Sequence, residues 1–250
     1  LTELSGGVWD FSDYRAVAAG SDVDLMTHLV EAIATDEPIW LYPGDWYGFL
    51  CGVTQRDRVE WATEPTKTEN GLVCLCVPSV RNGHLTTEMV DFLSAAPACL
   101  LNLNLYPTLT LTERQSVARQ LAPLLPKSVL SISFSRGFGL TASQLGVALV
   151  HRDHPYCRRF DQQWNWLTYF YNALAARAFL AIDLEEMQTV DQRRREWVHS
   201  WLSERDLPVV SSGSYYVKSF RTDNPLPAEW QPIVRGDVVR LCFKPPQVGC

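Results

Sequence analysis

The feature that most constrains the fold is a series of short apolar runs separated by segments with helical periodicity. Continuous apolar stretches occupy residues 71–78, 98–106 and 128–135. Such runs are too short to span a bilayer, and they are typical of strands that are buried on both faces of a parallel sheet. Between them, residues 86–96 and 111–125 have the spacing of amphipathic helices. This alternation predicts an α/β fold with a mostly parallel sheet.

Further segments extend the pattern towards the start of the chain and beyond the last run. Residues 21–37 predict a helix, and residues 38–42 and 58–65 predict short strands. A strand over 145–151 follows a glycine-containing turn. Thr112 is the predicted N-cap of the helix over 111–125, because its hydroxyl can accept from a free backbone N–H. We therefore expect a sheet of at least six strands.

After residue 151 the pattern changes. Residues 156–205 predict long helices, and the segments 209–220 and 237–243 predict two strands. A helix followed by two strands predicts a small α+β domain at the C-terminal end. We divide the chain into a large α/β domain, residues 1–175, and a small domain, residues 176–250.

Composition excludes several classes of protein. Of the 250 residues, 46% are apolar, which is enough for a packed core. The formal net charge is -6, from 22 basic and 28 acidic residues, so we expect neither a nucleic-acid nor a membrane partner. Seven cysteines form no even disulfide framework, and no charged-then-apolar leader opens the chain. We therefore expect a cytoplasmic protein.

Five short motifs occur in an order that resembles one enzyme family. They are YPGDWYGF at 42–49, CVPSVRNG at 76–83, LNLY at 103–106, SFSRGFGL at 133–140 and VVRLCF at 238–243. In this order they resemble the aromatic turn, the N-P-x-N-P-T-G loop, the D-x-x-Y strand, the S-x-S-K turn and the C-terminal arginine strand of the fold type I pyridoxal-phosphate enzymes, the class I and II aminotransferases. The resemblance covers residues 38–245. It implies a shortened aminotransferase-like large domain, a small α+β domain and a homodimer.

Several positions that carry the family's chemistry are substituted. The resemblance places Arg136 where the family has its Schiff-base lysine, and a guanidinium can neither form an imine nor act as a general base. The other substituted positions are those of the ring-nitrogen aspartate, the phosphate arginine and the ring-hydroxyl asparagine: Leu103 (with Asn102 or Asn104 after a one-residue shift), Gln144 and Val80. The family's phosphate cup also has no room between the helix ending near residue 35 and the strand at 38.

Other positions match the family and form the candidate site. Arg136 and Tyr106 are the candidate catalytic residues, and Tyr106 matches the tyrosine that faces the ring hydroxyl. Trp46, Ser133 and Arg240 are the candidate substrate-binding residues: a stacking aromatic, a phosphate-contacting serine and a carboxylate-binding arginine. We expect no metal site and no cofactor, with pyridoxal phosphate not bound covalently.

Two classes of function remain open. The chain is either an enzyme with repurposed chemistry on a small amino-acid-derived carboxylate in a biosynthetic pathway, or a non-catalytic binding or partner subunit. Non-covalent binding of pyridoxal phosphate as a regulatory ligand is a third option. A cleft holding Trp46, Tyr106, Arg136 and Arg240 favours the enzyme, whereas a cleft filled by side chains favours the partner subunit.

Overall fold

The structure is a computed structural model, and part of the chain is described in it. The described residues are 1–18, 37–45, 59–61, 70–133, 137–138, 146–154, 173–174, 176–178, 180–208, 210, 212–221, 228–235 and 238–243. The predicted helix over 21–37 lies almost entirely outside them, as does most of the predicted helical segment before residue 184.

A seven-stranded sheet forms the larger part of the fold. Its strands are β1 (Tyr14–Ala18), β2 (Ile39–Leu41), β3 (Val59–Trp61), β4 (Leu72–Cys76), β5 (Ala98–Asn102), β6 (Ser128–Ser133) and β7 (Gly146–His151). Their spatial order is β1-β7-β6-β5-β4-β2-β3. Only β7 runs against its neighbours β1 and β6, and the pairs from β6 to β3 are parallel. The predicted α/β fold with a mostly parallel sheet is therefore confirmed.

The central strands are buried along their whole length, which explains their unbroken apolar sequence. Every residue of β4, β5 and β6 is buried. Helices α1 (Thr87–Ala95) and α2 (Leu111–Leu121) connect these strands. Alternate residues of the three strands form one apolar cluster with buried residues of both helices. The two crossover helices therefore cover the same face of the sheet.

The N-cap of α2 differs from the predicted one. Thr110, not Thr112, accepts a hydrogen bond from the N–H of Glu113, and the Glu113 side chain accepts from the N–H of Thr110 in return. This reciprocal capping box satisfies two free backbone donors at once. Thr112 lies inside the first turn, where its hydroxyl has no such geometry.

The N-terminal segment packs on the same apolar cluster. Trp9 is 1% exposed and donates from its indole nitrogen to the carbonyl oxygen of Ala118, at 3.0 Å. The following residues lead into β1, which pairs with β7 from Tyr14 opposite His151 to Ala18 opposite Val147. Sequence analysis missed β1, because its polar and small residues carry no clear strand pattern.

β1 precedes the predicted helix over 21–37 in the chain, so the structure adds a strand before that helix to the predicted order of elements. Residues 19–36 lie outside the described residues, and the predicted lack of room for the family's phosphate cup between residues 35 and 38 stays a prediction.

A second, three-stranded antiparallel sheet has the order β8-β10-β9, with β8 at Val217–Phe220, β9 at Val234–Arg235 and β10 at Val238–Cys242.

Helix α3 (Leu184–Ser203) packs against this second sheet. Val198 and Leu202 of the helix form a buried cluster with Tyr215 and Phe243. Asp183 caps the helix by accepting from the N–H groups of residues 185 and 186. The boundary after residue 175 stays a prediction. Within the described residues, no helix has the length and apolar character that crossing a membrane requires.

Candidate functional site

The carboxyl ends of β2, β4, β5 and β6 lie at one edge of the large sheet, because these strands are parallel. The carboxyl end of β1 lies at the same edge, because β1 and β6 both run antiparallel to β7. Ligands of open α/β sheets bind outside the carboxyl ends of the strands. Four of the five sequence motifs that carry the resemblance fall at this edge, so we call it the carboxyl edge.

Asp45 holds together the loops that follow β2 and β4. One carboxylate oxygen accepts from the N–H of Cys76 at 2.7 Å, and the other accepts from the hydroxyl of Ser79 and the N–H of Val80, at 2.7 and 2.9 Å. The side chain is buried, and burial raises its pKa to about 6 despite these three donors. Asp45 therefore shapes the loop over residues 77–81, which includes a cis bond between Val77 and Pro78.

The loops after β5 and β6 are joined in the same way. The side-chain oxygen of Asn104 accepts from the N–H of Ser133 at 2.6 Å, and the N–H of Asn104 donates to the side-chain oxygen of Asn102 at 2.8 Å. Ser133 is thus placed at the carboxyl edge, and its role as a phosphate contact stays a prediction. Gly137 packs directly on this region, because an added Cβ would lie 2.9 Å from the carbonyl oxygen of Asn104.

Arg240 reaches the carboxyl edge from the second sheet. It lies in β10 opposite Ser219 and is 5% exposed. One of its terminal nitrogens donates to the carbonyl oxygen of Val80 at 3.1 Å. A buried guanidinium from the small C-terminal unit therefore contacts the loop over 77–81, which lies at the ends of the central strands.

Tyr106 is buried more deeply than its predicted catalytic role requires. It is 0% exposed, its ring stacks on Trp9 with centroids 5.0 Å apart, and its hydroxyl donates to the carbonyl oxygen of Arg114 at 2.8 Å. Burial also raises the pKa of its hydroxyl above the ordinary value. This geometry is that of a packing residue, and the catalytic role stays a prediction.

The remaining candidates lie outside the described residues. Trp46 follows Asp45 directly in the chain, and Arg136 lies between the described residues Ser133 and Gly137. Of the predicted site residues, the structure therefore brings Ser133 and Arg240 to the carboxyl edge. The sequence analysis missed Asp45, although a lone acid between a strand and an aromatic pair is a recognisable signal for a loop-organising carboxylate.

Comparison with solved structures identifies the fold. The histidinol-phosphate aminotransferase from Clostridium acetobutylicum superposes with a TM-score of 0.68 at 11% identity, covering 98% of this chain and 82% of that one. An aminotransferase from Staphylococcus aureus gives 0.66 at 14% identity, covering 93% and 73%. No family model and no curated protein matches the sequence. The fold is that of the aminotransferases.

A third comparison corrects the expectation that there is no cofactor. The histidinol-phosphate aminotransferase from Sinorhizobium meliloti, solved in complex with pyridoxal-5'-phosphate, superposes with a TM-score of 0.59 at 15% identity, covering 87% of this chain and 63% of that one. The prediction of no cofactor is contradicted, because the same fold holds pyridoxal phosphate. The substituted contact residues were therefore too weak a reason to exclude pyridoxal phosphate.

The described residues fit pyridoxal phosphate better at the end expected for its phosphate than at the end expected for its ring nitrogen. Leu103 is 0% exposed and belongs to the apolar core cluster, so no acid faces a ring nitrogen from this position. The side-chain oxygens of Asn102 and Asn104 each accept a backbone N–H. Ser133, the last residue of β6, lies at the carboxyl edge.

Proposed function

We propose that the chain is an aminotransferase-like protein that binds pyridoxal phosphate and a small amino-acid-derived carboxylate at the carboxyl edge, and that it has lost the lysine-dependent reaction. Arg136 in the lysine position is the reason for the last part of this proposal. The residues proposed to bind ligand are Arg136, Trp46, Ser133 and Arg240.

The observation that carries the proposal is the placement of Arg240. The Arg240 guanidinium is buried, and one of its terminal nitrogens donates to the carbonyl oxygen of Val80 in the loop at the carboxyl edge. Guanidinium groups recognise carboxylates through two parallel hydrogen bonds. A small carboxylate bound here would lie beside the loop over 77–81 that Asp45 holds in shape.

The phosphate end of the cofactor is assigned to the ends of β1 and β6. Ser133 ends β6, and Gly20 and Ser21 precede the predicted helix over 21–37. A glycine and a hydroxyl before a helix N-terminus suit a phosphate, because the free N–H groups and the helix dipole favour negative charge. Pyridoxal phosphate, when bound, supplies an electron-withdrawing ring; this chain's residues supply binding and orientation.

The first experiment separates cofactor binding from lysine chemistry. Pyridoxal phosphate is titrated into the purified protein and followed by absorbance and by quenching of tryptophan fluorescence, and Arg136→Lys is titrated in parallel. We expect saturable binding by both proteins, and a borohydride-stable adduct on the peptide containing position 136 in the variant alone. If neither protein binds pyridoxal phosphate, the proposal is wrong.

The second experiment tests the carboxylate site. L-glutamate and 2-oxoglutarate serve as probes, and Arg240→Lys is compared with Arg193→Lys, a change on the exposed face of α3. Loss of one bidentate contact should weaken probe binding by about tenfold in Arg240→Lys, since a charged hydrogen bond contributes roughly 1.5–3 kcal/mol. Equal affinities in the two variants would remove Arg240 from the site.

The alternative function is a partner subunit without a ligand site. The environment of Tyr106 favours this alternative. In the family that the sequence resembles, the tyrosine at this position faces the ring hydroxyl, whereas Tyr106 is buried in the core against Trp9. A folded protein that binds neither pyridoxal phosphate nor either carboxylate would support this alternative. The homodimer and the cytoplasmic location stay predictions.

A further inference from the structure

A cavity lies between α3 and the segment that leads into and through β8. Its volume is about 180 Å³. The residues that line it are Gln192, Arg195, Glu196, Val198, His199, Leu202, Val210 and Lys218. One amine, one guanidinium, one carboxylate and several neutral side chains therefore surround a space large enough for a molecule of three or four carbons.

Lys218 is an unusual residue for this position. It lies in β8, is 5% exposed, and donates from its ammonium nitrogen to the carbonyl oxygen of Ser212 at 2.8 Å. Lysine is rarely buried to this degree without a paired acid. Its pKa is lowered to about 8; burial is the largest cause, the nearby guanidinium of Arg195 also lowers the pKa, and Glu113 acts in the opposite direction.

The groups around the amine are held by their own hydrogen bonds. Arg195 donates to the carbonyl oxygens of Gly213, at 2.8 Å, and Thr108. Glu113 accepts from the N–H of Gly213 at 2.6 Å and belongs to the capping box of α2. His84 lies close enough to Lys218 for the ammonium to lower its pKa, although burial is the larger cause. Glu196 and His199 line the cavity from α3.

This environment keeps part of the amine neutral at pH 7. A lysine with a pKa of about 8 has about 300-fold more neutral amine at pH 7 than one with the ordinary value of 10.5. A neutral amine attacks carbonyl carbons, and a desolvated amine beside another cation is the usual form of a lysine that forms imines. Arg195 provides a fixed positive charge in the same cavity.

We propose that Lys218 captures a small 2-oxo acid in this cavity, with the acid's carboxylate facing Arg195 and its carbonyl carbon at the amine. The amine nitrogen forms a bond to the carbonyl carbon, and the carbonyl π electrons move to the oxygen. The nitrogen gives up its two protons and the oxygen takes up two, so that the oxygen leaves as water while the nitrogen lone pair forms the C=N bond of an imine. No oxidant or further reactant is needed. This inference is independent of pyridoxal phosphate at the carboxyl edge.

The test uses glyoxylate as the probe and the whole chain as the protein. Glyoxylate and cyanoborohydride convert an imine into a stable carboxymethyl amine, which peptide mass spectrometry locates. The sequence contains four lysines, so the assignment is unambiguous: Lys67, Lys127, Lys218 and Lys244. We expect Lys218 to be labelled about tenfold faster than the other three at pH 7, with a rate that rises through a midpoint around pH 8 and levels off above about pH 9.

Two variants provide the controls. Lys218→Arg should abolish the fast labelling, whereas Lys127→Arg should leave it unchanged, because the Lys127 ammonium donates to the carbonyl oxygens of Ser94 and Ala96 far from the cavity. Lys218→Met keeps the length of the side chain without its charge, and it replaces Lys218→Arg as the control if that variant does not fold. Labelling of Lys218 in the wild-type protein at the same rate as the other lysines, or more slowly, would overturn the inference.

Discussion

Replacing Tyr106 by phenylalanine removes one hydroxyl from the core and leaves the ring stack with Trp9 in place. In the structure this hydroxyl donates to the carbonyl oxygen of Arg114 at 2.8 Å. That carbonyl lies within α2, so it keeps access to a helical N–H after the change. The variant therefore loses a single neutral hydrogen bond and leaves no acceptor without a partner.

The expected loss of stability follows from the loss of this single hydrogen bond. A buried hydrogen bond between neutral groups contributes about 0.5–1.5 kcal/mol to stability, so Tyr106→Phe should lower the free energy of unfolding by about 1 kcal/mol. The affinity for pyridoxal phosphate should not change, because the hydroxyl faces the core and not the carboxyl edge. If the hydroxyl were catalytic or bound the cofactor, Tyr106→Phe would keep its stability and lose affinity for pyridoxal phosphate.

Urea denaturation followed by circular dichroism measures the first quantity, and the pyridoxal-phosphate titration measures the second. Tyr215→Phe is the matched control, since its hydroxyl donates to a carboxylate oxygen of Asp191 at 2.6 Å. A hydrogen bond to a charged group contributes roughly 1.5–3 kcal/mol, so this control should cost more than Tyr106→Phe. Unchanged stability with a tenfold loss of cofactor affinity in Tyr106→Phe would refute the packing role.

Three further predictions concern the loops and the helix cap. Burial raises the pKa of Asp45 to about 6 from 3.8, so the folded state binds this proton more tightly than the unfolded state; stability from this group should fall by about 2 kcal/mol as pH rises from 4 to 7, and Asp45→Asn should lack that fall in urea titrations. Gly83→Ala should cost more than Gly7→Ala in thermal melts, because both have positive φ but only a Cβ at Gly83 meets a β8 carbonyl oxygen, at 2.5 Å. Thr110→Ala should cost about 1 kcal/mol and Thr112→Ala less than about 0.5 kcal/mol in the same denaturation assay.

The large sheet could be predicted because its strands are buried on both faces. Burial on both faces forces an apolar residue at nearly every position, and that pattern is visible without any partner. Edge strand β1 has a partner on one side only and carries no such pattern, so it was missed.

The candidate site was predictable in part. Ser133 and Arg240 were identified because they lie in short motifs that resemble those of the family, and the structure places Ser133 at the end of β6 and Arg240 within β10 beside the carboxyl edge. The orientation of Tyr106 was not predictable, because whether its ring faces a ligand or the core depends on Trp9, which is almost 100 residues away in sequence. The same holds for Lys218, whose burial results from α3 packing against β8.

By itself, the sequence determined the order and the type of the elements, since apolar runs and helical spacing are local properties of the chain. It also determined that Arg136 stands where the resembling family has lysine. Only the tertiary structure decided which polar groups are buried and what they contact: Asp45 under the loop over 77–81, Arg240 on Val80, and Lys218 beside Arg195. Desolvation and hydrogen bonding depend on neighbours that are distant in the sequence, and these two effects set the chemistry of a site.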